Sequence, residues 1–369
     1  MEIVKIIAGN KTQNRQFHDL MKTVYQGDPN FIVPIEADVD AVFDPSRNKK
    51  FTKGSAVRWL LFENGQCVGR IAAFFEKKNQ KILGGWGFFE VLNNGVFAKT
   101  LIETAENWLK EQGCDKIQAP VNFGDRDSFW GLLIHGDRKP SYLENYQPHY
   151  YQGFIEGMGY EREIEQTTYD ITLADFNYDR FSAIAKRAMG NEDYRFEFLD
   201  FGNLEKYVRD FVQIYNEAWS FHEDFEPLTH EALLKRFKSM KMAMYEEFAV
   251  FAYCKDRPIG FFVSILELNE VFQDFEGRLS LWNKLLFFLK RGSIGKAKGI
   301  IFGVVPDYQK MGIDTGLIMK SYEGMMKLKK ISSMELAWIG DFNPKMLSML
   351  KSLGAKLTKT HHTYFKKLF

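Results

Sequence analysis

The sequence predicts a mixed α/β protein in which one arrangement of strands and helices occurs twice. Asn64-Gly65 separates two apolar runs, the pattern of a tight β-hairpin. A β-branched run at 300–305 is followed by a proline, a glycine and apolar residues at helical spacing. That order predicts a strand, a loop and a helix. Several features of the first half then recur in the same order in the second half.

The first half shows alternating strand and helix patterns up to about residue 121. The predicted elements are a strand at 1–7, a helix at 14–25, hairpin strands at 57–62 and 67–75, a strand at 86–91, a helix at 96–112 and a strand at 116–121. From 122 to 147, Gly, Asp, Pro and aromatic residues break both periodicities, which predicts a long loop.

The second half repeats the hairpin and the closing segment of the first. Gly69 and Gly260 hold equivalent hairpin positions, and a Gly-to-Tyr spacing of ten residues closes both halves, at 159–169 and at 354–364. Ordered matches of this kind favour duplication over coincidence. The offsets change along the chain, which places an extra loop in the first half and an insertion before Pro306 in the second.

Composition limits the range of functions. A chain of 369 residues suits two domains, which we predict at 1–172 and 191–369. The net charge of +1 argues against DNA or other nucleic acid as the main partner. Three cysteines without a CxxC pair predict a reducing compartment, and residues 1–7 lack a leader pattern. We therefore expect a cytoplasmic location without a transmembrane segment.

The stretch 303–314 has the properties of an anion-binding loop. The first N–H groups of a helix have no partner within the helix, and the helix dipole adds positive charge there. Pro306 cannot join a strand ladder, and Gly312 allows a ligand to approach the main chain. An ordinary strand–loop–helix connection fits the same spacing equally well.

Residues Val304, Pro306, Gln309 and Gly312 match a Val-x-Pro, Gln-x-x-Gly pattern. This pattern resembles the acyl-CoA pyrophosphate loop of the GCN5-related N-acetyltransferase (GNAT) superfamily. Asp314 departs from the family's Gly or Ala, and its carboxylate would repel a pyrophosphate unless it turned away or paired with Lys310.

The resemblance extends over nearly the whole chain and implies two tandem GNAT-like domains, similar to bacterial tandem proteins of this type. It implies acetyl-CoA or another acyl-CoA as co-substrate in the second half. In the first half, 90–95 keeps only a glycine of the loop, which implies a degenerate domain that serves as a scaffold or substrate wall.

The resemblance also implies which residues contact the donor. They are Val304, Val305, Gln309, Lys310, Met311, Gly312, Ile313 and Asn343. The family's residue at the Asn343 position touches the pantetheine arm. Asn directly before Pro344 is also a common helix N-cap, and both roles are compatible.

Amine acylation requires a base for the ammonium and often an acid for the leaving thiolate. Leu350 stands where family members commonly carry a tyrosine acid. The catalytic candidates are therefore Glu335 and Asp341 as bases and Tyr364 as acid, with Glu267, Glu270 and Tyr322 as further options. Solvated carboxylates and buried core tyrosines explain the same residues without catalysis.

Two inserts are candidates for specificity. The segment 122–131 mixes aromatic and charged residues, which suits either a polar ligand or a loop packed on its own aromatics. The segment 279–291 is a short apolar helix with basic residues at one end. A buried helix is the favoured interpretation, and an acyl-chain or weak membrane-surface contact is the alternative.

No metal site is expected, because His361-His362 has no further ligand at metal spacing and His222-Glu223 is only an adjacent pair. The predicted function is acyl-CoA-dependent N-acylation, an acetyltransferase-type reaction, of a small amine or amino-acid-like acceptor held between the halves. The alternatives are an aminoacyl-tRNA-dependent tandem transferase and a non-catalytic binding protein with a relic CoA loop.

Overall fold

The computed structural model describes residues 1–79, 81–221 and 227–369. In these residues thirteen strands form one mixed sheet. The strands are β1 (Glu2–Lys5), β2 (Gly54–Glu63), β3 (Gln66–Lys78), β4 (Lys81–Val91), β5 (Lys116–Ala119), β6 (Leu132–His135), β7 (Glu161–Thr172), β8 (Tyr194–Phe198), β9 (Ala249–Cys254), β10 (Arg257–Leu266), β11 (Lys296–Val304), β12 (Ser333–Gly340) and β13 (Lys356–Lys367). The predicted mixed α/β fold is confirmed.

Eleven α-helices occur in the described part of the chain. They are α1 (Lys11–Val24), α2 (Glu36–Val42), α3 (Gly95–Glu111), α4 (Tyr150–Gly157), α5 (Tyr178–Met189), α6 (Leu204–Trp219), α7 (His230–Met240), α8 (Asn269–Phe272), α9 (Leu281–Lys290), α10 (Ile313–Lys327) and α11 (Pro344–Leu353). None of the described helices has the length and apolarity needed to cross a bilayer.

Residues with positive φ form the turns that the sequence predicts in the two halves. The first hairpin turns at Asn64 and Gly65, both with positive φ (51° and 78°), as a two-residue turn requires. Gly159 follows α4 with φ 80°, and Gly354 ends α11 with φ 94°. A left-handed residue after a helix favours glycine, and here it directs the chain into β7 and β13 respectively.

The two halves exchange their last strands. The strand order is β1-β2-β3-β4-β5-β13-β7-β12-β11-β10-β9-β8, with β6 paired to β13. The final strand β13 thus lies against β5 of the first half, whereas β7 of the first half lies against β12 of the second. The two exchanged strands pair antiparallel with each other at the centre.

The cores follow this exchange. Tyr364 of β13 packs in the core of the first half with Trp86 and Leu101. Tyr169 and Ile171 of β7 pack in the core of the second half. Each core therefore includes residues from both halves of the chain, although the domain limits 1–172 and 191–369 remain a prediction.

Three local features were not predicted from the sequence. The long loop 122–147 contains β6, a four-residue strand that depends on its pairing with β13. The junction between the halves contains α5, which packs against α10. The helix α9 buries only Phe287, so the favoured interpretation of a buried helix is wrong. Phe287 packs against Phe272 of α8 (5.5 Å between ring centroids), and most other side chains of α9 are exposed.

Candidate active site

A cleft opens in the sheet between β11 and β12. These parallel strands pair only from Lys296–Gly299 to Ser333–Leu336, although they continue to Val304 and Gly340. A register shift in the β10–β11 ladder, between Val263 and Ser264, accompanies the separation. Parallel strands that separate leave unpaired backbone donors and acceptors on their facing edges. We call the space between 300–304 and 337–340 the cleft.

Helix α10 begins where the cleft opens at the carboxyl end of β11. The Val305 N–H donates to the Ile259 carbonyl oxygen (2.9 Å), which extends the sheet bonding to the end of β11. The chain then reverses through Lys310 (φ 67°) and Gly312 (φ 81°). The Gly316 N–H to Gly312 carbonyl bond (2.9 Å) begins the helical ladder, so the preceding N–H groups make no bond within the helix.

Two side chains hold the loop 305–312 and the first turn of α10. The Gln309 side-chain amide donates to the Val304 carbonyl oxygen (3.2 Å). The Asp314 carboxylate accepts a hydrogen bond from the Thr315 N–H (2.8 Å), so it folds onto its own helix. Asp314 therefore occupies one N–H of the first turn, and the earlier ones remain for an anion.

Asn343 lies at the carboxyl end of β12, on the other side of the cleft. Its side-chain oxygen accepts a hydrogen bond from the Met346 N–H (3.2 Å), which confirms the N-cap expected from Asn343-Pro344. Asp341 is exposed just before it, and its N–H donates to the Glu165 carbonyl oxygen (2.9 Å). The structure thus brings the loop, Asp341 and Asn343 to the same end of the two diverging strands.

Behind the cleft, an apolar chamber of about 70 Å³ lies between α10, α11 and the sheet. Its walls include Phe302, Met325, Met346, Met349 and Leu350. Leu350 therefore lines apolar space at the position where the family commonly has tyrosine. Only Ser321 and Tyr322 bring polar side-chain atoms to this lining. The apolar lining of this chamber suits apolar groups.

Glu335 is held in a buried ion-pair cluster that joins the two halves. Its carboxylate pairs with Lys359 (3.1 Å) and Lys296 (3.2 Å), and the Ser141 hydroxyl donates to it. Burial by itself would raise the pKa of Glu335, but the ammonium groups of Lys359, Lys296 and Lys298 hold that pKa well below its usual range. This environment suits a structural ion pair and is unfavourable for a proton acceptor at neutral pH.

The other carboxylates proposed from sequence also have structural roles. The Glu267 carboxylate accepts hydrogen bonds from the Tyr142 N–H (2.8 Å) and the Asn269 N–H (3.0 Å). The Glu270 carboxylate accepts one from the Gly295 N–H (2.8 Å). These bonds hold the turn after β10 and the approach to β11.

Tyr364 is remote from the loop because β13 crosses into the first half. Its hydroxyl donates to Glu156 on α4 (2.8 Å), and burial together with that bond raises the pKa of Tyr364. Tyr322 instead lines the chamber, where its ring stacks on Phe176 (4.6 Å between centroids). Of the two tyrosines considered from sequence, only Tyr322 adjoins the chamber.

The equivalent cleft of the first half is closed by its own side chains. Strands β4 and β5 pair only at Gly84 and Gly85 before they separate. The Val91 N–H donates to the Tyr151 hydroxyl (2.7 Å), and the Tyr150 hydroxyl donates to the Val91 carbonyl oxygen (2.8 Å). These two bonds use the backbone groups that correspond to those of Val304.

The connecting loop is also shorter in the first half. The Leu92 N–H bonds Val68 as the Val305 N–H bonds Ile259, so Leu92 and Val305 are equivalent. Helix α3 begins at Gly95, three residues after Leu92, whereas α10 begins eight residues after Val305. The first half therefore lacks a counterpart of most of the segment 306–312.

Sequence reasoning missed a buried polar cluster in the first half. Arg70 and Glu90 pair at 3.7 Å, and the hydroxyls of Tyr25 (2.8 Å) and Tyr151 (3.0 Å) donate to Glu90. Burial raises the pKa of Glu90 to about 7, against the opposing effect of Arg70. A charged residue inside the apolar run of β4 was the available signal.

The segment 122–131 forms a wall between the halves. The Arg126 carbonyl oxygen accepts a hydrogen bond from the Trp338 indole (2.8 Å), and Asp127 pairs with Arg236 of α7 (2.6 Å). Phe123 is buried and stacks on Phe74 (5.4 Å between centroids). The loop therefore packs on an aromatic core and also contacts β12 and α7 of the second half, and the polar-ligand interpretation stays a prediction.

No group of three or more His, Cys, Asp or Glu side chains able to bind a metal occurs in residues 1–79, 81–221 and 227–369. His361 contacts the Asn145 carbonyl oxygen (3.0 Å), and His362 lies beside Glu165 (3.4 Å). His222 and Glu223 lie outside the described residues.

The overall fold is similar to that of GCN5-related N-acetyltransferases, including a tandem one. A tandem GNAT protein from the clavulanic acid biosynthesis pathway superposes with a TM-score of 0.60 over 100% of this chain and 98% of that chain, at 12% identity. A GCN5-related N-acetyltransferase from Sphaerobacter thermophilus gives 0.54 over 100% and 95%, also at 12% identity. The tandem GNAT-like fold expected from the resemblance is confirmed.

Two curated proteins are similar in sequence along nearly their full length. Protein YghO of Escherichia coli (strain K12) is 25% identical over 371 residues, which cover 97% of this chain and 94% of that protein. The bacterial ceramide synthase of Caulobacter vibrioides (strain NA1000 / CB15N) is 25% identical over 355 residues, which cover 92% and 91%. No family model matches the chain.

Proposed function

We propose that this protein is an acyl-CoA-dependent N-acyltransferase that binds the acyl donor in its second half. The observation that carries the proposal is the placement of a helix N-terminus and an apolar chamber at one cleft between diverging parallel strands. An acyl-CoA carries an anionic pyrophosphate and, at its other end, an acyl chain. The start of α10 would bind the pyrophosphate, and the chamber would hold the acyl chain. The first half, with its shorter loop and occupied backbone groups, supports the cleft without binding a donor.

The donor contacts are proposed residue by residue. The backbone of Lys310, Met311, Gly312 and Ile313 binds the pyrophosphate, and the Lys310 ammonium adds positive charge. The main chain of Val304 and Val305 bonds the pantetheine arm, as an added strand would. Gln309 fixes the loop through its bond to Val304, and Asn343 lines the opposite side of the cleft.

The chamber favours an acyl chain longer than acetyl. Four of its lining residues are methionines, namely Met325, Met334, Met346 and Met349. Methionine side chains are flexible and adapt to the shape of apolar ligands, so the chamber can enlarge around a chain. Leu350 contributes to this, because a tyrosine hydroxyl at that position would add a polar group to the lining.

We propose a long-chain amine as the acceptor. A ceramide is the amide of a fatty acid and a long-chain amino alcohol, and a protein named bacterial ceramide synthase is similar to this chain over 92% of its length. The small or amino-acid-like amine expected from sequence remains the comparison substrate. A wall formed by 122–131 over the second half provides an acceptor side distinct from the donor loop.

The reaction is attack of a neutral amine on the thioester carbonyl. The C–N bond forms, the C–S bond breaks, the amine loses a proton to a base, and the CoA thiolate gains one. Asp341 is the candidate base, since it is exposed at the end of β12 while Glu335 is locked in ion pairs and Tyr364 lies in the other core. Orientation of amine and thioester supplies most of the rate.

A ligand-dependent melting experiment tests the donor site. Wild-type protein is heated with acetyl-CoA and with acyl-CoAs of increasing length, beside Gly312→Trp and the control Gly153→Trp, whose added Cβ meets no atom within 4 Å. A ligand that binds only the native state raises the melting temperature. We expect shifts that grow with chain length for wild type and Gly153→Trp, and no shift for Gly312→Trp.

Acyl transfer is then measured with the best donor on a long-chain amino alcohol and on short amines. Amide formation that requires the long-chain amine supports the proposal. Absence of a melting shift with any acyl-CoA would contradict the donor site and favour the relic-loop or aminoacyl-tRNA alternatives. A shift without transfer to any amine would contradict the acceptor and leave a CoA-binding protein.

A further inference from the structure

The insert between β10 and β11 presents an apolar surface to solvent. Five side chains of α9 are between 49% and 86% exposed, namely Leu281, Trp282, Leu285, Phe288 and Leu289. Their spacing of i, i+1, i+4, i+7 and i+8 places them on one face over more than two helical turns. Only Phe287 is buried, against Phe272 of α8 (5.5 Å between ring centroids). A contiguous apolar face of this kind marks an interaction site.

The same segment is basic. Between 278 and 291 the sequence contains Arg278, Lys284, Lys290 and Arg291 and no acidic residue. The basic residues at its end adjoin Lys330 in the turn after α10, since a Cβ at Gly292 would lie 3.7 Å from the Lys330 ammonium. Asp274 pairs with Lys290 (2.8 Å) and is the acidic neighbour of this surface. An apolar face with basic residues and a tryptophan has the composition of helices that lie on membrane surfaces.

The insert is held firmly by the first half, so the surface is formed in advance. The Glu36 N–H donates to the Gly277 carbonyl oxygen (2.8 Å), and the Asn269 side chain donates to the Pro140 carbonyl oxygen (2.9 Å). Gly277 has φ 80°, and a Cβ there would lie 2.8 Å from the Pro34 oxygen. The backbone at this contact therefore requires glycine, and the chain is anchored to the first half four residues before α9 begins.

We propose that the exposed face of α9 docks the protein on a bilayer that contains anionic lipid. The apolar side chains enter the headgroup region, and the basic residues contact anionic headgroups. Charge is the reason to choose a bilayer over a second copy of the chain, because two such faces would bring their basic residues together. Docking stands independently of acyl transfer, although it would place the enzyme where a long-chain amine resides.

Vesicle co-sedimentation tests this proposal with the full-length protein and without CoA. Phosphatidylcholine vesicles are compared with vesicles that also contain phosphatidylglycerol. The key variant is Trp282→Asp at the second residue of α9, and its control is Val96→Asp at the second residue of α3, where the side chain is also exposed. An acidic residue in a first turn suits the helix dipole, so neither change unfolds its helix.

We expect wild type and Val96→Asp to bind anionic vesicles roughly tenfold better than neutral ones, and Trp282→Asp to lose about tenfold on anionic vesicles. Lys284→Gln should lose about fivefold on anionic vesicles and nothing on neutral ones. Equal binding by Trp282→Asp and wild type would overturn the proposal. So would concentration-dependent self-association that Trp282→Asp abolishes while no variant binds vesicles, because a second copy would then cover the face.

The two proposals fail separately. Trp282→Asp is expected to keep the wild-type rate of transfer to an amine presented in detergent, since α9 lies outside the cleft and the chamber. Vesicle binding without any acyl transfer would leave docking intact and remove the enzymatic proposal. Acyl transfer without vesicle binding would leave the enzymatic proposal intact and remove the docking proposal.

Discussion

At the scale of single residues, Leu350 shows how a departure from a family pattern acquires a physical meaning. It stands where the family commonly has a tyrosine acid, and it is buried in the wall of an apolar chamber. A leucine there removes a proton donor and adds apolar surface. In the proposed reaction, leucine at this position therefore changes what the site can hold as well as how the thiolate is protonated.

Replacing Leu350 by tyrosine tests this interpretation. The larger ring overfills the chamber and brings a hydroxyl into it, which costs about 1–3 kcal/mol for a ligand that needs the space. We expect Leu350→Tyr to lower kcat/KM for long acyl-CoAs about tenfold or more while acetyl-CoA is little affected. Lys351→Tyr, at the exposed neighbouring position, is the control. An unchanged chain-length profile would place the acyl group elsewhere.

Glu90 makes a prediction about pH. Its pKa is raised to about 7 by burial, so the native state holds a proton that the unfolded state has already released above its pKa of 4.5. Stability therefore falls as pH rises through this interval. Glu90→Gln cannot titrate, so its stability relative to wild type should improve by about 2 kcal/mol between about pH 5 and about pH 8.

Denaturant unfolding at the two pH values measures this difference. Comparing the difference between variant and wild type at one pH with that difference at the other pH cancels any pH-independent cost of the substitution. Glu103→Gln, which changes an exposed carboxylate on α3, should show no such trend. A difference independent of pH for Glu90→Gln would mean that Glu90 is ionised throughout this range in the native protein.

At the scale of elements, the loop before α10 and the segment 122–131 have opposite roles. The loop presents backbone N–H donors at the end of β11. These donors are present whatever side chains the loop residues carry. The segment 122–131 instead reaches from the first half and contacts the second through Trp338 and Arg236. In the proposed reaction, the donor side thus takes its loop from the second half alone and its chamber from both halves, whereas the acceptor side depends on a segment of the first half.

Removing the Asp127 carboxylate should separate these two sides kinetically. The Asp127–Arg236 pair is partly exposed, so its loss costs less than about 1 kcal/mol of stability. We expect Asp127→Ala to raise KM for the amine severalfold and to leave KM for acyl-CoA unchanged. The matched change is Asp175→Ala, which breaks a similarly exposed pair with Lys356 away from the cleft. A parallel rise of both KM values would indicate that the change disturbs the structure of the whole site instead.

At the scale of the whole molecule, strand exchange makes the two halves interdependent. Strand β13 separates β5 from β7, so the first half cannot complete its sheet or its core without the end of the chain. The second half in turn needs β7 beside β12. Isolated halves would expose strand edges and apolar core surface, which favours aggregation.

Divided chains test this interdependence. Residues 1–172 and 173–369 expressed separately should be insoluble or poorly folded, whereas co-expression should give a complex of one copy of each. Circular dichroism, thermal unfolding and co-purification through a tag on one fragment provide the measurements. A fragment 1–172 that unfolds cooperatively as a monomer would show that the exchange is dispensable.

Much of the architecture was accessible from sequence because it is encoded locally. Several features depend only on residues that are neighbours in the sequence. They are the turn at Asn64-Gly65, the glycines that follow α4 and α11, and the Asn343-Pro344 cap. Helical spacing and strand runs gave the order of the elements, and the repeat gave the two-domain fold. The glutamine, proline and glycine around the loop indicated an anion site for the same local reason.

The rest depends on contacts between distant residues. Neither the exchange of β7 and β13 nor β6 follows from local propensity, because each depends on pairing across more than 150 positions. The exchange moved Tyr364 into the other core, and the ion pairs with Lys296 and Lys359 made Glu335 unsuitable as a base. The solvent exposure of α9 likewise depends on which neighbours reach it, and its amphipathic sequence alone was compatible with burial.

The sequence by itself determined the mixed α/β class, the repeat, the strand–loop–helix at 300–327 and the loss of all but a glycine of the loop pattern at 90–95. These features are local, because turn geometry, capping and periodicity are set by neighbouring residues. Only the tertiary structure decided that β11 and β12 diverge around an apolar chamber, that Leu350 lines it and that α9 faces solvent. Burial and the environment of a charge are properties of the assembled chain, and a one-dimensional pattern does not contain them.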